Sequence, residues 1–152
     1  DDIPPGELNR QTKAGQHFGF PWYGGGTVRT TEFQGMDVPA GVIDPQVELS
    51  AHAADLGMTF YSGKMFPEKY RGGIFSAQHG SWNRTTPVGA RVIFTGVGAD
   101  GNATETMVFA AGWLNTDGQY DGRPVDVIEL RDGSLLVSDD FANAIYRITY
   151  VN

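Results

Sequence analysis

The sequence predicts an all-β fold built from short antiparallel strands. Its 21 Gly and 8 Pro in 152 residues break the chain too often for long helices. Its nine Phe, six Tyr and three Trp are residue types enriched in strands. Short apolar runs also alternate with turn signals, of which Asp132-Gly133 is the strongest hairpin signal.

Composition excludes several classes of function. The net charge of -7 argues against nucleic acid and against an anionic membrane held through a basic patch. The absence of Cys excludes disulfides, thiolate nucleophiles and Cys-ligated metals. No run approaches the ~20 apolar residues of a membrane span. The chain begins at Asp1 without Met or a leader, so we expect a processed product or a fragment.

The first fifty residues predict little regular structure. Residues 1–27 have the pattern of a loop, a short strand and another loop, with aromatic side chains between glycines. Residues 28–50 are irregular because Pro39 and Pro45 block a helix. Loops of this length are usually functional or packed against something larger.

Residues 51–112 predict four strands at 57–61, 74–78, 90–94 and 106–109, with one helical turn at 66–71. Residues 113–152 repeat that order, with strands at 125–130, 134–138 and 144–150. The loop that begins at His79 and the loop that begins at Asp139 take equivalent places in the two repeats. Such repeats are typical of β-propeller blades, with segments at about 1–50, 51–112 and 113–152. A β-sandwich is the alternative.

A propeller typically needs 4–8 blades, so two or three blades leave unpaired edges. We therefore expect this chain to meet either the rest of a propeller or a second copy of itself.

The loop from His79 to Arg84 carries an imidazole, an indole, an amide and a guanidinium within six residues. If it continued the preceding strand, His79, Ser81 and Asn83 would share one face. The functional interpretation is a planar anionic ligand held by Arg84 and stacked near Trp82. The structural alternative is a polar turn whose Trp82 fills a hydrophobic gap.

The pattern of residues resembles the sorbosone dehydrogenase family, soluble aldose dehydrogenases that use pyrroloquinoline quinone. The resemblance covers nearly the whole chain and is most specific around the His79 loop. The matching segments are Phe60-Tyr61-Ser62-Gly63, Phe66-Pro67, Tyr70-Arg71-Gly72, His79-Gly80-Ser81-Trp82-Asn83-Arg84, Gly122-Arg123-Pro124-Val125-Asp126-Val127, Ser134-Leu135-Leu136-Val137-Ser138-Asp139-Asp140 and Ile145-Tyr146-Arg147-Ile148.

The resemblance implies a six-bladed propeller, of which this chain is about the last two to three blades, with the quinone over the central channel. The cofactor carries three carboxylates, which suit the planar donors of Arg. Arg123 is the leading contact by resemblance, with a structural Arg bridging two blades as its alternative. His79, Arg84 and His52 are further candidates, and Trp82 is a candidate for stacking on the ring system or for burial in the core.

The implied function is the C-terminal portion of a quinone-dependent aldose or sorbosone dehydrogenase. It transfers electrons to a cytochrome or quinone and is located in the periplasm or secreted. The family's histidine base lies in an earlier blade and matches none of the three histidines, so this chain supplies no catalytic residue. The resemblance places calcium near Asp1 and Asp2, without defining its ligands. The alternative interpretation of these two residues is an exposed acidic terminus.

Two other functions stay open. One is a non-catalytic propeller that binds a sugar or a protein. The other is a metal-dependent propeller hydrolase, for which Asp139 and Asp140 are the available acidic pair unless they cap a turn.

Overall fold

The computed structural model describes residues 1–151, which form eleven β-strands and one short 3-10 helix, Glu68–Tyr70. The strands are β1 (Gly6–Leu8), β2 (Tyr23–Gly25), β3 (Val28–Arg29), β4 (Val47–Leu49), β5 (Asp55–Phe60), β6 (Ile74–Gln78), β7 (Arg91–Val97), β8 (Ala103–Ala110), β9 (Pro124–Glu129), β10 (Leu135–Asp139) and β11 (Ala144–Ile148). All named pairs of strands are antiparallel. Within residues 1–151 no helix has the length and apolar character needed to cross a membrane.

Two successive meanders carry the fold. The first sheet has the order β5-β6-β7-β8, and the second has the order β9-β10-β11. The hairpin between β9 and β10 closes through Asp132-Gly133. There Gly133 adopts a φ of 85° and its N–H donates to the Leu130 carbonyl over 2.9 Å. The turn residues predicted from sequence therefore set the register of this hairpin.

The core lies between the two sheets. Alternate side chains of β5 and β10 face it, which is the period of two of a half-buried strand, whereas β6 is buried on both faces. Its buried members are Tyr61, Phe66, Phe75, Val92, Phe94, Val127, Leu135 and Val137. The first strands of the two sheets, β5 and β9, approach closely: a Cβ on Gly57 of β5 would lie 1.9 Å from Asp126 Oδ1 of β9. Successive sheets thus pack face to face, with β5 and β9 side by side.

The first fifty residues form two small ladders, β1 with β4 and β2 with β3. The β1–β4 ladder lies over the face of the first sheet that points away from the core. A cavity of about 430 Å³ between them is lined by Leu8 and Gln46 on one side and by Met58, Phe60 and Ile74 on the other. Strand β4 leads into β5 as β8 leads into β9. The ladder therefore occupies the position of outer strands in a further blade.

The predicted all-β antiparallel fold is confirmed, and the strands of residues 51–151 lie close to their predicted positions. Two local expectations are wrong. Residues 28–50 are not wholly irregular, since they contain β3 and β4. Residues 79–90 leave the strand after Gln78, so the side chains expected on one face diverge: Ser81 is buried and Asn83 is exposed.

Two apolar faces are left partly or wholly uncovered within residues 1–151. On β5, Leu56, Met58 and Phe60 point away from the core and are 52%, 44% and 61% exposed. On the far side of the second sheet, Ile128 and Ile145 are 48% and 70% exposed. Exposed alternating apolar residues on regular strands are typical of sheet faces that pack against further structure.

Candidate functional site

The residues predicted to bind a ligand gather at one end of the two sheets. Because neighbouring strands are antiparallel, the starts of β5 and β9 lie at the same end as the turns that follow β6 and β10. The connections at this end are residues 50–54, 79–90, 111–123 and 140–143, which we call the loop cluster.

Arg123 joins the two sheets at this end. Its Nε donates to the His79 carbonyl over 3.0 Å, and its Nη2 donates to the carbonyls of Gly80 and Ser81. The guanidinium also lies over the Tyr120 ring, 4.7 Å from the centroid. The bridging role considered as an alternative from sequence is therefore present in the structure. Within residues 1–151, Nη1 donates to no protein acceptor.

His79 makes a second link between the sheets. Its Nε2–H donates to Asp140 Oδ1 over 2.9 Å, although the two residues are 61 positions apart in sequence. This hydrogen bond lowers the pKa of Asp140 below its ordinary value of 3.8, and the charge of Arg123 adds to the effect. Asp140 was not predicted as a site residue. The equivalent places of the two loops in the sequence repeat were the signal that could have paired it with His79.

Ser81 anchors the loop from within. Its hydroxyl lies 3.0 Å from the Tyr120 hydroxyl and accepts a hydrogen bond from the Val88 N–H over 3.1 Å. The Tyr120 hydroxyl in turn donates to the Val88 carbonyl over 2.9 Å. Ser81 is only 3% exposed, so this network is shielded from water. Its position excludes Ser81 as an exposed nucleophile in this structure.

Arg84 does not face solvent, because its side chain is only 9% exposed. It donates to the carbonyls of Thr86 and Ala51 over 3.0 Å and 3.2 Å, and to the Asp1 carbonyl. It also pairs with the Asp2 carboxylate at 3.0 Å. These contacts fix the Arg84 side chain at the base of the loop. Its expected contact with a ligand stays a prediction.

Asp1 and Asp2, near which the resemblance places calcium, lie at this same loop base. Asp1 Oδ2 accepts hydrogen bonds from the N–H groups of Thr85 and Thr86 over 3.0 Å and 3.1 Å. Among the described residues, no three His, Cys, Asp or Glu side chains lie together as metal ligands. Calcium near Asp1 and Asp2 therefore stays a prediction.

His52 supports the loop from the opposite side. Its Nε2–H donates to the Ile3 carbonyl over 3.0 Å, which leaves Nδ1 to accept a hydrogen bond from Asn83 Nδ2 at 3.3 Å. The residue has a φ of 62°, a left-handed conformation that is uncommon for a side chain other than Gly. His52 is thus held beside the His79 loop, and its expected contact with the cofactor stays a prediction.

Trp82 stands at the apex of the loop with 85% of its surface exposed. Both proposals that would bury it, in a hydrophobic gap or in the core, are wrong. A second exposed aromatic residue, Phe141, follows Asp140 on the equivalent loop of the second sheet and is 57% exposed. No sequence signal marked Phe141 as a site residue, since Phe is among the residue types most often buried.

The carboxylate of Asp139 has a structural role. Its Oδ1 accepts a hydrogen bond from the Ala142 N–H over 2.8 Å, and its Oδ2 accepts one from the Tyr146 hydroxyl over 3.1 Å. Asp139 is 4% exposed. It therefore caps the turn, as its structural alternative predicted, and adds nothing to the hydrolase hypothesis.

Comparison with known proteins shows a likeness in fold. No protein-family model matches the chain. An uncharacterized protein of Borreliella burgdorferi is 41% identical over 152 residues, which cover 99% of this chain and 40% of that protein. The chain thus spans less than half the length of this relative.

Two solved structures share the fold. The calcium structure of a carbohydrate-active enzyme of family AA12 from Trichoderma reesei superposes with a TM-score of 0.69 and 21% identity, covering 96% of this chain and 43% of that one. The holo form of the PQQ domain of a pyranose dehydrogenase from Coprinopsis cinerea has a TM-score of 0.54 and 24% identity. That match covers 73% of this chain and 30% of the other.

These likenesses define the class of protein at the level of fold. The chain forms antiparallel blades of a β-propeller, a fold that it shares with the PQQ domain and the family AA12 enzyme. Neither structure is named as a sorbosone dehydrogenase, so that finer resemblance stays a prediction.

Proposed function

We propose that this chain is part of a dehydrogenase that oxidises an aldose with pyrroloquinoline quinone, and that the loop cluster forms one side of the cofactor site. The observation that carries the proposal is the convergence of Arg123, His79 and exposed Trp82 from two adjacent blades. Support comes from two structural neighbours, one named as a PQQ domain of a pyranose dehydrogenase and one as a carbohydrate-active enzyme.

The donors of the loop cluster suit a ligand with several carboxylates. Arg123 Nη1 and the imidazole of His79 would supply the charged or polar contacts, and Trp82 would supply an aromatic surface. Both ring nitrogens of His52 already have protein partners, so His52 would act by supporting the loop. Arg84 would act indirectly by fixing the loop base. The bound quinone would supply the electron acceptor for sugar oxidation, while the residues of this chain bind and orient it. The base that removes the substrate's proton comes from outside this chain.

The uncovered sheet faces support the proposal that further blades complete a ring of six. In that arrangement residues 1–50, 51–112 and 113–152 would be successive blade segments, and the first would need inner strands from elsewhere. The rest of the propeller would cover Leu56, Met58 and Phe60 on one side and Ile128 and Ile145 on the other; a second copy is the alternative. We further propose calcium as a second cofactor, a cytochrome or quinone as electron acceptor, and a periplasmic or secreted location.

A non-catalytic propeller that binds a sugar or a protein is the second candidate. The observation in its favour is the commitment of Arg84, and of most donors of Arg123, to oxygens of the protein itself. Such guanidinium groups fix loops and leave fewer cations to neutralise a cofactor with three carboxylates.

The test is quinone binding by the native polypeptide that contains this chain. Purified protein is titrated with pyrroloquinoline quinone and calcium, with tryptophan fluorescence as the readout. We expect binding that Arg123→Met weakens by about tenfold or more, because a hydrogen bond to a charged group contributes roughly 1.5–3 kcal/mol. His79→Gln should also weaken it.

Arg131→Met is the matched control, since Arg131 is an exposed Arg outside the loop cluster. Circular dichroism establishes that each variant is folded. Aldose-dependent reduction of a dye by the loaded protein would then identify the substrate class. Equal quinone affinity in wild type, Arg123→Met and His79→Gln would contradict the proposed cofactor site, and sugar binding without quinone binding would favour the binding module.

A further inference from the structure

The imidazole of His79 is held by one of its two nitrogens. Nε2 lies 2.9 Å from Asp140 Oδ1 on the turn after β10, and the His79 side chain is 22% exposed. A carboxylate oxygen can only accept a hydrogen bond, so Nε2 carries the proton of the neutral ring. Within residues 1–151, Nδ1 has no hydrogen-bond partner in the protein. The contact with Asp140 therefore leaves Nδ1 as the nitrogen that can bind a ligand.

Both members of this pair are fixed by the backbone that carries them. The His79 N–H donates to the Ala54 carbonyl over 2.9 Å, and the His79 carbonyl accepts a hydrogen bond from Arg123 Nε over 3.0 Å. The turn that carries Asp140 is capped by the buried carboxylate of Asp139. The imidazole is thus held in place before a ligand arrives, which reduces the entropy lost on binding.

The charge of His79 decides what Nδ1 can bind. In the neutral ring Nδ1 has a lone pair that repels a carboxylate oxygen, whereas in the charged ring Nδ1–H donates to that oxygen. Asp140 stays ionised because the hydrogen bond from His79 lowers its pKa, and Arg123 is always charged. The segment before β5 contributes only the uncharged Ala54 carbonyl. Histidine side chains change charge between about pH 5 and 8, so His79 is the member of this contact whose charge follows pH.

We propose that Asp140 is a positioning residue for the cofactor: it keeps the His79 proton on Nε2, so that a carboxylate of the quinone binds at Nδ1 only when His79 takes up a second proton. That proton comes from solvent and returns to it when the cofactor leaves. The inference rests on the proposed function for its ligand. It adds a role for Asp140 and makes cofactor loading dependent on pH, with tighter binding on the acidic side.

Calorimetric titration of the native polypeptide with pyrroloquinoline quinone and calcium, between about pH 5.5 and 8.5, tests this dependence. We expect affinity to fall by about tenfold as His79 loses its charge, the effect of one charge-assisted hydrogen bond. Buffers of different ionisation enthalpy should report uptake of up to one proton on binding. Asp140→Asn keeps an acceptor oxygen but removes the negative charge, so the fall in affinity should begin about half a pH unit lower.

Three variants separate this proton from other titrating groups, including those of the quinone. His79→Lys carries a charge throughout the range and His79→Gln carries none, so the affinity of each should change by less than about twofold with pH. Glu105→Gln is the matched control for Asp140→Asn, since Glu105 is an exposed acidic residue outside the loop cluster. It should keep the wild-type pH profile. Circular dichroism establishes that each variant is folded.

Nitrogen NMR of the labelled wild-type polypeptide identifies the protonated nitrogen of neutral His79 without any quinone, and we expect Nε2. A proton on Nδ1 instead, a wild-type affinity that does not change with pH, or a wild-type pH profile in Asp140→Asn would each overturn the role of Asp140. Quinone binding itself would survive those three results. Absence of quinone binding at every pH would overturn the proposed function, and this inference with it.

Discussion

Replacement of Arg123 by Met should remove the hydrogen bonds that tie the two sheets together at the loop cluster. Two donor nitrogens, Nε and Nη2, bind three backbone carbonyls of the neighbouring loop, and the guanidinium packs over Tyr120. At the lower end of the range for charged hydrogen bonds, two donors contribute about 3 kcal/mol, and the aromatic contact adds roughly 0.5 kcal/mol. We therefore expect Arg123→Met to lower the free energy of unfolding by about 3 kcal/mol.

Urea denaturation followed by circular dichroism measures this change. With an m-value of about 2 kcal/mol/M for a chain of this size, the midpoint should fall by about 1.5 M urea. Arg123→Lys keeps the charge without the planar fork and should recover only about 1 kcal/mol. Arg131→Met, at an exposed position, should stay within about 0.5 kcal/mol of wild type. A wild-type midpoint for Arg123→Met would refute the inference that this residue ties the sheets together.

Two further predictions concern the packing of β5. Gly57→Ala should lower the free energy of unfolding by about 3 kcal/mol, since the added Cβ would lie 2.7 Å from the Asp126 Cα. Gly35→Ala, with no atom within 4 Å of its Cβ, should be nearly neutral in the same denaturation assay. Burial raises the pKa of Asp55, so its native carboxyl keeps a proton that the unfolded chain has lost. Wild-type stability relative to Asp55→Asn should therefore fall as pH rises above 3.8, and a difference independent of pH would contradict this assignment.

Much of the fold could be predicted from local sequence signals. Asp132-Gly133 predicts a tight hairpin, and the structure has one between β9 and β10, although its loop has three residues, 131–133, instead of the two expected. The period of two in β11 puts Tyr146 and Ile148 on one face, and both pack against the core. Repetition of these short-range patterns then predicted stacked blades, and the structure and its neighbours bear out that class of fold.

The gathering of the candidate residues at one end of the sheets could be predicted from the sequence, but their contacts could not. His79 and Arg123 reach one another across 44 positions of sequence, and no local pattern records that pairing. The same limit applies to Arg84, whose partners Asp1 and Ala51 are brought to it by tertiary structure. The exposure of Trp82 was missed for a different reason. Trp is usually well buried, and only the fixed loop flanks keep this one in solvent.

The separation between a rigid loop base and a solvent-facing apex also bears on how ligand choice could change. Side-chain replacement at position 82 alters few contacts within the protein, since Trp82 is 85% exposed, whereas replacement of Ser81 would disturb a buried network. Substitutions at the loop apex should therefore change the free energy of unfolding little. A scaffold of this kind can acquire new selectivity through one side chain while its architecture is inherited unchanged.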